Sequence, residues 1–301
     1  SSRYCPSTRQ PVLCGSLSLT RASSHAMTDT PELPRIFVIN LKRSTERRRV
    51  MAERLAALNL PCTFFDAVDG KLLSVEEKAA YAGTRRRLFF GHDLTPGELG
   101  CLLSHRGVYR HMIENRIPVA LVLEDDAILA DDLPDVLRAL MKCPVEWDLI
   151  RFLAYDKGYK KSRPLGPITA KHHLCRPYGT PGGAYGYLLT LRSAQALNNC
   201  MNKNWLPVDT LHGQTWRTCI TAFNVQPSPV GFDDVVESTI GAERFDKEKK
   251  LKLWERALFP FSRPGMKLYE LLFKNLTHLS TWRADRRRRQ LLQLPTSGRL
   301  K

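Results

Sequence analysis

The chain has 301 residues, 43% hydrophobic and 25% charged, an ordinary globular composition that excludes disorder throughout. Its sequence contains no run approaching the roughly 18 apolar residues of a membrane helix, which excludes a helical integral membrane protein. With 46 Lys and Arg against 30 Asp and Glu, the formal charge of +16 favours a polyanionic partner, a nucleotide or an anionic surface.

Eight cysteines, Cys5, Cys14, Cys62, Cys101, Cys143, Cys175, Cys200 and Cys219, form no CxxC pair and no metal-ligand spacing. They read as free thiols in a reducing compartment. Residues 1–28 are rich in Ser and Arg, contain no acid and show no apolar period, so they read as a non-globular extension. An organellar transit peptide and sequence upstream of a start at Met27 are the two readings, the second preferred.

Folded structure is expected from Arg35. The run RIFVINL is a strand, the segment from Ser44 with Val50, Met51, Leu55 and Leu58 its helix, and TFFDAV from Thr63 a second strand. This β-α-β opening predicts a parallel sheet with right-handed crossovers. No GxGxxG marks the first turn; Asn40, Arg43 and Arg47 are the groups there that a nucleotide would meet, each arginine serving equally well on a solvated helix face. After a helix near Val75 to Ala82, Thr84 to Leu88 reads as an exposed basic loop. Thr95-Pro96-Gly97-Glu98 is a capping box with Pro at the first helical position, and predicts a helix to about Asn115. Along it Glu98, Cys101, Leu102, His105 and Tyr109 share a stripe, which makes Ser104 and His105 structural neighbours of whatever the strand beyond it carries.

That strand, PVALVLEDD, sets five apolar residues before Glu124, Asp125 and Asp126. Continuous apolarity fits a central strand covered on both faces. Three adjacent anions repel in a low dielectric, so one stays protonated or a cation neutralises them, and Mg²⁺ or Mn²⁺ on Glu124 and Asp126 would leave positions for phosphate oxygens. In an extended chain those two leave one face and Asp125 the other. The blander reading makes Asp125 and Asp126 caps of a helix from Ala127.

Beyond a helix from about Leu133 and a strand from Trp147 to Ala154, Tyr155 to Thr180 is a long basic connection without regular structure. Gly182 and Gly183 end it, allowing a close backbone approach to a ligand or a plain turn, before a strand from Ala184 to Leu191. A short helix from Ser193 precedes Asp209, and the acids Asp233, Asp234 and Glu237 follow the strand FNVQPSPV. From Asp246 a basic amphipathic tail ends in Arg286 to Arg289; it reads as a membrane-surface element or as helices packed back on the core.

The ordered series INL (39–41), FDAVDG (65–70), LTPGELGC with LSH (94–105), LVLEDDA (121–127) and PVD (207–209) resembles glycosyltransferase family 25, whose bacterial members are lipooligosaccharide galactosyltransferases and which is similar to the animal collagen galactosyltransferases. The resemblance covers roughly Arg35 to Ile240. It implies an α/β GT-A-like fold with a mostly parallel central sheet, residues 29–245 being the catalytic domain and 246–301 a helical basic tail. It also implies a UDP-sugar donor, UDP-galactose foremost, transferred with inversion to a lipid-linked or oligosaccharide acceptor. Glu124, Asp125 and Asp126 would be the metal and donor-ribose motif, Glu124 and Asp126 holding the divalent metal, Mn²⁺ or Mg²⁺. Asn40, Leu41, Arg47, Asp66 and Ala67 would lie near the nucleotide, Gly182 and Gly183 beside the sugar, and Asp209 would be the general base. The third metal ligand stays open between His212 and water. Such an enzyme would work in the cytoplasm, peripheral on the inner membrane. Two other classes compete: a receiver-like Mg²⁺-binding phosphoacceptor domain, and a non-enzymatic binder of membrane or nucleic acid. Nucleic acid is not expected, because unneutralised carboxylates repel phosphate.

Overall fold

The structure is a computed structural model and describes residues 32–79, 81–153, 162–202, 204–232 and 251–293. Its first half runs β1 (Arg35–Asn40), α1 (Thr45–Ala57), β2 (Thr63–Asp66), α2 (Val75–Ala79), α3 (Gly83–Phe90), α4 (Pro96–Glu114), β3 (Val119–Glu124), β4 (Ala127–Leu129) and α5 (Leu133–Met141). Then come β5 (Leu149–Arg151), β6 (Arg163–Pro167), β7 (His173–Arg176), β8 (Gly186–Thr190), α6 (Leu191–Cys200), α7 (Val208–Gly213), α8 (Thr215–Thr218), β9 (Ala222–Gln226) and β10 (Val230–Phe232). The tail forms α9 (Leu253–Ser280) and α10 (Trp282–Gln293). Residues 1–28, Asp233, Asp234 and Glu237 lie outside the described residues.

Eight strands make one sheet in the order β2-β1-β3-β8-β5-β9-β7-β6. Pairing directions set β1, β2, β3, β5, β9 and β6 one way and β7 and β8 the other. The sheet is thus mostly parallel by strand direction, although the reversed strands, lying between others, make several pairings antiparallel. One consequence bears on the site. Because β8 runs against β3, with Leu123 opposite Gly186, the glycine-bearing segment that enters β8 arrives at the carboxyl ends of β1 and β3.

Both faces of β3 are covered, which is why VALVL needs no alternation. Leu121 and Leu123 join the cluster built with Met51, Leu55, Val136 and Leu137 of α1 and α5, while Ala120 and Val122 join Leu102, Val108, Tyr109 and Leu197 of α4 and α6. The capping box of α4 is present: Glu98 N donates to Thr95 Oγ1 at 3.2 Å and Thr95 N to the Glu98 carboxylate at 2.9 Å. Caps of this kind contribute about 1 kcal/mol. Backbone contact explains the glycines of the two neighbouring motifs: a Cβ on Gly70 would stand 1.6 Å from Pro96 O, and one on Gly100 2.6 Å from Val68 O.

Four expectations are corrected. The basic run from Thr84 is helix α3, with Arg86 buried over the Phe90 ring at 3.9 Å and Arg87 paired with Glu255 and Asp93. One of the charges that make the run look like a solvated loop, that of Arg87, is matched by Glu255 of the distant tail. The connection from Tyr155 holds an edge hairpin, β6 and β7. Ala127 starts β4, which pairs with β10, so Asp125 and Asp126 cap no helix. Finally, Glu124 ends the strand and Asp125-Asp126 form a turn, so the alternation assigning Asp125 to the opposite face does not extend to them.

Both tail helices dock on the α/β unit. Glu255 is fully buried against Arg87, Arg263 donates to Phe89 O at 2.9 Å, and Met266 packs with Trp205 and Leu206. In α10, Asp285 accepts from Arg163, Arg176 and Arg288 at 2.7, 2.6 and 3.0 Å, and Leu292 joins the main core. No helix among the described residues is long and apolar enough to cross a membrane.

Candidate active site

At the carboxyl ends of β1 and β3 the sheet opens into a cleft lined by residues of four segments. Leu41, Arg43 and Arg47 line it from the β1 end, Ala67 to Lys71 from the loop after β2, Cys101, Ser104 and His105 from α4, and Glu124, Asp125 and Asp126 from β3. The placement follows from topology: parallel neighbours β1, β2 and β3 deliver three loops to one edge, where ligands of open α/β sheets bind.

Each carboxylate has its own surroundings. Asp125 accepts from Asn40 Nδ2 at 2.7 Å and Arg47 at 3.0 Å, a charge-assisted clamp between β1, α1 and the turn. Asp126 lies 4.0 Å from Arg47, and its Oδ1 is buried with no hydrogen-bond partner. Burial, then Glu124 and Asp125, push its carboxyl from 3.8 up to about 6, against the pull of Arg47. Glu124 turns toward α4, with Oε1 3.2 Å from His105 Nε2 and 3.8 Å from Cys101 Sγ. Burial and Glu124 push the Cys101 thiol well up, so it stays protonated.

The donor set fits a hard divalent cation. Asp126 Oδ1 is buried and unpartnered, and burial, with the charges of Glu124 and Asp125, opposes ionisation of that same carboxyl, a strain that a cation at the acidic turn would relieve. Ser104 is structural: it accepts from Val68 N at 2.8 Å and donates to Gly100 O at 2.7 Å, fastening the loop after β2 to α4. Asp66 faces solvent beside Lys42, 3.2 Å away, and does not line the cavity, whereas Ala67 does.

Gly182, Gly183 and Asp209 meet beside this cavity rather than in it. Asp209 Oδ2 accepts from Gly183 N at 3.1 Å and Oδ1 from Thr210 N at 2.6 Å. Gly183 has φ +90°, which a side chain would strain. Tyr185 O in turn accepts from Glu124 N at 2.9 Å, joining the glycine segment to the acidic turn. Sequence reasoning missed Arg151, which is buried in β5 and donates to Pro181 O and Gly183 O at 2.8 and 2.7 Å. A strand arginine flanked by apolar residues was the available signal. Asp69, paired on the cavity wall with the expected Arg43, is a second addition. His212 is fully buried against Tyr109, 2.6 Å from its hydroxyl, and faces no carboxylate of the turn.

A mostly parallel central sheet with helices on both faces and a carboxylate-lined cleft at its carboxyl edge defines the class as an α/β protein. The model of "Glycosyltransferase family 25 (LPS biosynthesis protein)" matches residues 33–212, more than half the chain, and the chain belongs to that family. Every residue lining the cavity falls within the match. Procollagen galactosyltransferase 1 of Danio rerio is 27% identical over 265 residues, covering 76% of this chain and 42% of the relative. Procollagen galactosyltransferase 1-B of Xenopus laevis is 32% identical over 195 residues, 60% of this chain and 31% of the relative. A Haemophilus influenzae protein, provisionally named a glycosyltransferase, is 24% identical over 249 residues, 77% and 86% of the two chains. The chain spans less than half the length of these vertebrate relatives.

Proposed function

We propose that the cavity takes a UDP-sugar, UDP-galactose foremost, and that the protein transfers the sugar with inversion onto a saccharide acceptor, a lipooligosaccharide core foremost. The observation that carries this reading is the Asn40–Asp125–Arg47 clamp beside Asp126, whose unpartnered buried oxygen and suppressed ionisation suit a site completed by a cation and a diphosphate. Galactosyltransferase relatives support the sugar. On this reading the fold is of the GT-A kind, and Glu124 and Asp126 hold Mn²⁺ or Mg²⁺. Bound there, the cation would neutralise negative charge growing on the departing diphosphate.

The chain's own residues do the remainder. Arg43 and Arg47 offer positive charge to the phosphates from the β1 end, and Asp125, held by Asn40, faces the ribose. Inversion takes one displacement: the acceptor oxygen bonds the anomeric carbon, the bond to the diphosphate breaks, and the hydroxyl proton passes to a base. Asp209 is that base. Its anchor on Gly183 N ties it to the segment beside the sugar, and Arg151 steadies that segment from beneath. The exposed apolar face of α9 rests on an anionic leaflet on the cytoplasmic side, near a lipid-linked acceptor.

Incubation with UDP-galactose and Mn²⁺ tests the reading against two acceptors, a truncated lipooligosaccharide and a collagen peptide bearing hydroxylysine. A mass gain of one hexose on the first is expected. Gain on the collagen peptide alone would reassign the acceptor, and gain on neither, with no UDP released, would remove the activity.

A further inference from the structure

Cys101 and His105 stand one helical turn apart on α4 and face the cavity, and Glu124 meets them from the end of β3. Among the described residues these three side chains each present one ligand atom, all within 4.8 Å of one another. A tetrahedral zinc centre with ordinary bond lengths needs N···O and S···O edges of about 3.3 and about 3.6 Å. The observed separations are 3.2 Å from His105 Nε2 to Glu124 Oε1 and 3.8 Å from Cys101 Sγ to the same oxygen. Two of the three edges are thus nearly set before any ion arrives and the third is within 4.8 Å, while the cavity these residues line supplies an entry path and room for a fourth ligand.

Behind the histidine lies the kind of outer shell that orients metal ligands. His105 Nδ1 is 2.7 Å from Tyr187 Oη, which is 3.1 Å from Tyr109 Oη, which is 2.6 Å from His212 Nε2. All four side chains are fully buried. Burial holds His212 well below its ordinary range, so it is neutral and its Nε2 can accept. Run in that direction, the chain of bonds lets His105 donate through Nδ1 to Tyr187 Oη and offer its Nε2 lone pair to a cation shared with Glu124, 3.2 Å away.

We propose that Cys101, His105 and Glu124 form a site for a borderline-soft divalent cation, Zn²⁺ by chemistry, distinct in donor type from the oxygen set for Mn²⁺ or Mg²⁺ and sharing only Glu124 with it. Thiolate and imidazole favour Zn²⁺, whereas Mg²⁺ and Mn²⁺ favour carboxylates. On binding, the Cys101 thiol gives its proton to solvent and its sulfur bonds the metal. Because Glu124 serves both sets, Zn²⁺ competes with the hard cation. The inference stands on these three side chains and does not depend on which sugar, if any, is transferred.

Cobalt(II), which reports thiolate ligation by a near-ultraviolet charge-transfer band, tests it on the full chain. One equivalent is expected to give the band, added Zn²⁺ to abolish it, and Cys101→Ser to lose it, while His105→Gln weakens binding at least tenfold. X-ray absorption of the zinc-loaded wild type is expected to show one sulfur at about 2.3 Å and nitrogen or oxygen at about 2.0 Å. A zinc shell with no sulfur overturns the proposal without any variant, as does a cobalt band unchanged by Cys101→Ser. A failure of sugar transfer with these signatures intact would count against the proposed activity alone.

Discussion

Asp126 sits where burial and two flanking carboxylates oppose its ionisation, and the consequences are measurable at that residue. Its carboxyl stands at about 6 rather than 3.8, so the folded chain binds the proton more tightly than the unfolded one. The sign follows: stability from this group is present below pH 3.8 and is lost as pH rises toward 6, up to a ceiling of about 3 kcal/mol. Asp126→Asn removes the repulsion and is expected to raise the melting temperature of the metal-free protein at pH 7 while abolishing transfer, a trade common at functional sites. Calorimetry of the two proteins at pH 7 and pH 4.5 checks it, since the difference should shrink at the lower pH. Asp209→Asn keeps the shape and removes the proton acceptor, so turnover should fall by about 10²- to 10⁴-fold with little change in donor affinity. Near-normal turnover would leave Asp209 as a tether for Gly183. The acidic turn and Asn40 were legible because local patterns carry them, a core strand ending in three acids and a strand end with a polar residue. Arg151 and the pairing of Cys101 with Glu124 were not, because each depends on a partner some 20 to 30 positions away that only the fold brings near.

The tail helices are held as elements by buried charge. Burial opposes the Asp285 carboxylate, but Arg176 and Arg288 hold it below the ordinary carboxylate range; Arg87 does the same for Glu255. For carboxyls lowered in the folded state the stabilisation is present above the unfolded pKa and is lost as pH falls through the folded one. Docking of α9 and α10 should therefore loosen only below pH ~4, seen as protease cleavage within the tail before the α/β unit unfolds. Asp285→Ala leaves Arg163 and Arg176 buried without their partner, and should cost about 3–5 kcal/mol in urea unfolding. A loss under about 1 kcal/mol would mean that water already shares the cluster. Elements with a strong period or a capping box were readable from sequence, as α4 and β3 show. Helix α3 was not, since Glu255, which buries the charge of Arg87, lies 168 residues on, and the β6–β7 hairpin was hidden by the basic composition of its connection.

For the whole molecule, one face of the tail is committed to the core and the other remains apolar. Leu258, Phe261, Leu268, Leu272 and Leu279 follow one another at steps that sum to whole turns, and Phe261 is 78% exposed and Leu279 69%. Arg288 and Arg289 turn inward, to Asp285 and Pro164 O, so fewer tail arginines reach a lipid surface than the run from Arg286 suggests. The protein should pellet with anionic vesicles at low salt and be released by Phe261→Asp with Leu268→Asp, exposed positions whose change spares the docked face. Equal sedimentation of the double variant would mean that another surface binds lipid. Isothermal titration of UDP-galactose in the presence of Mn²⁺ shows whether the cavity at β1 and β3 is the donor site. Saturable one-to-one binding to the wild type is expected, with at least tenfold weaker binding to both Asp126→Asn and Asp125→Asn. No heat with any UDP-hexose, or undiminished binding by the two variants, would contradict it.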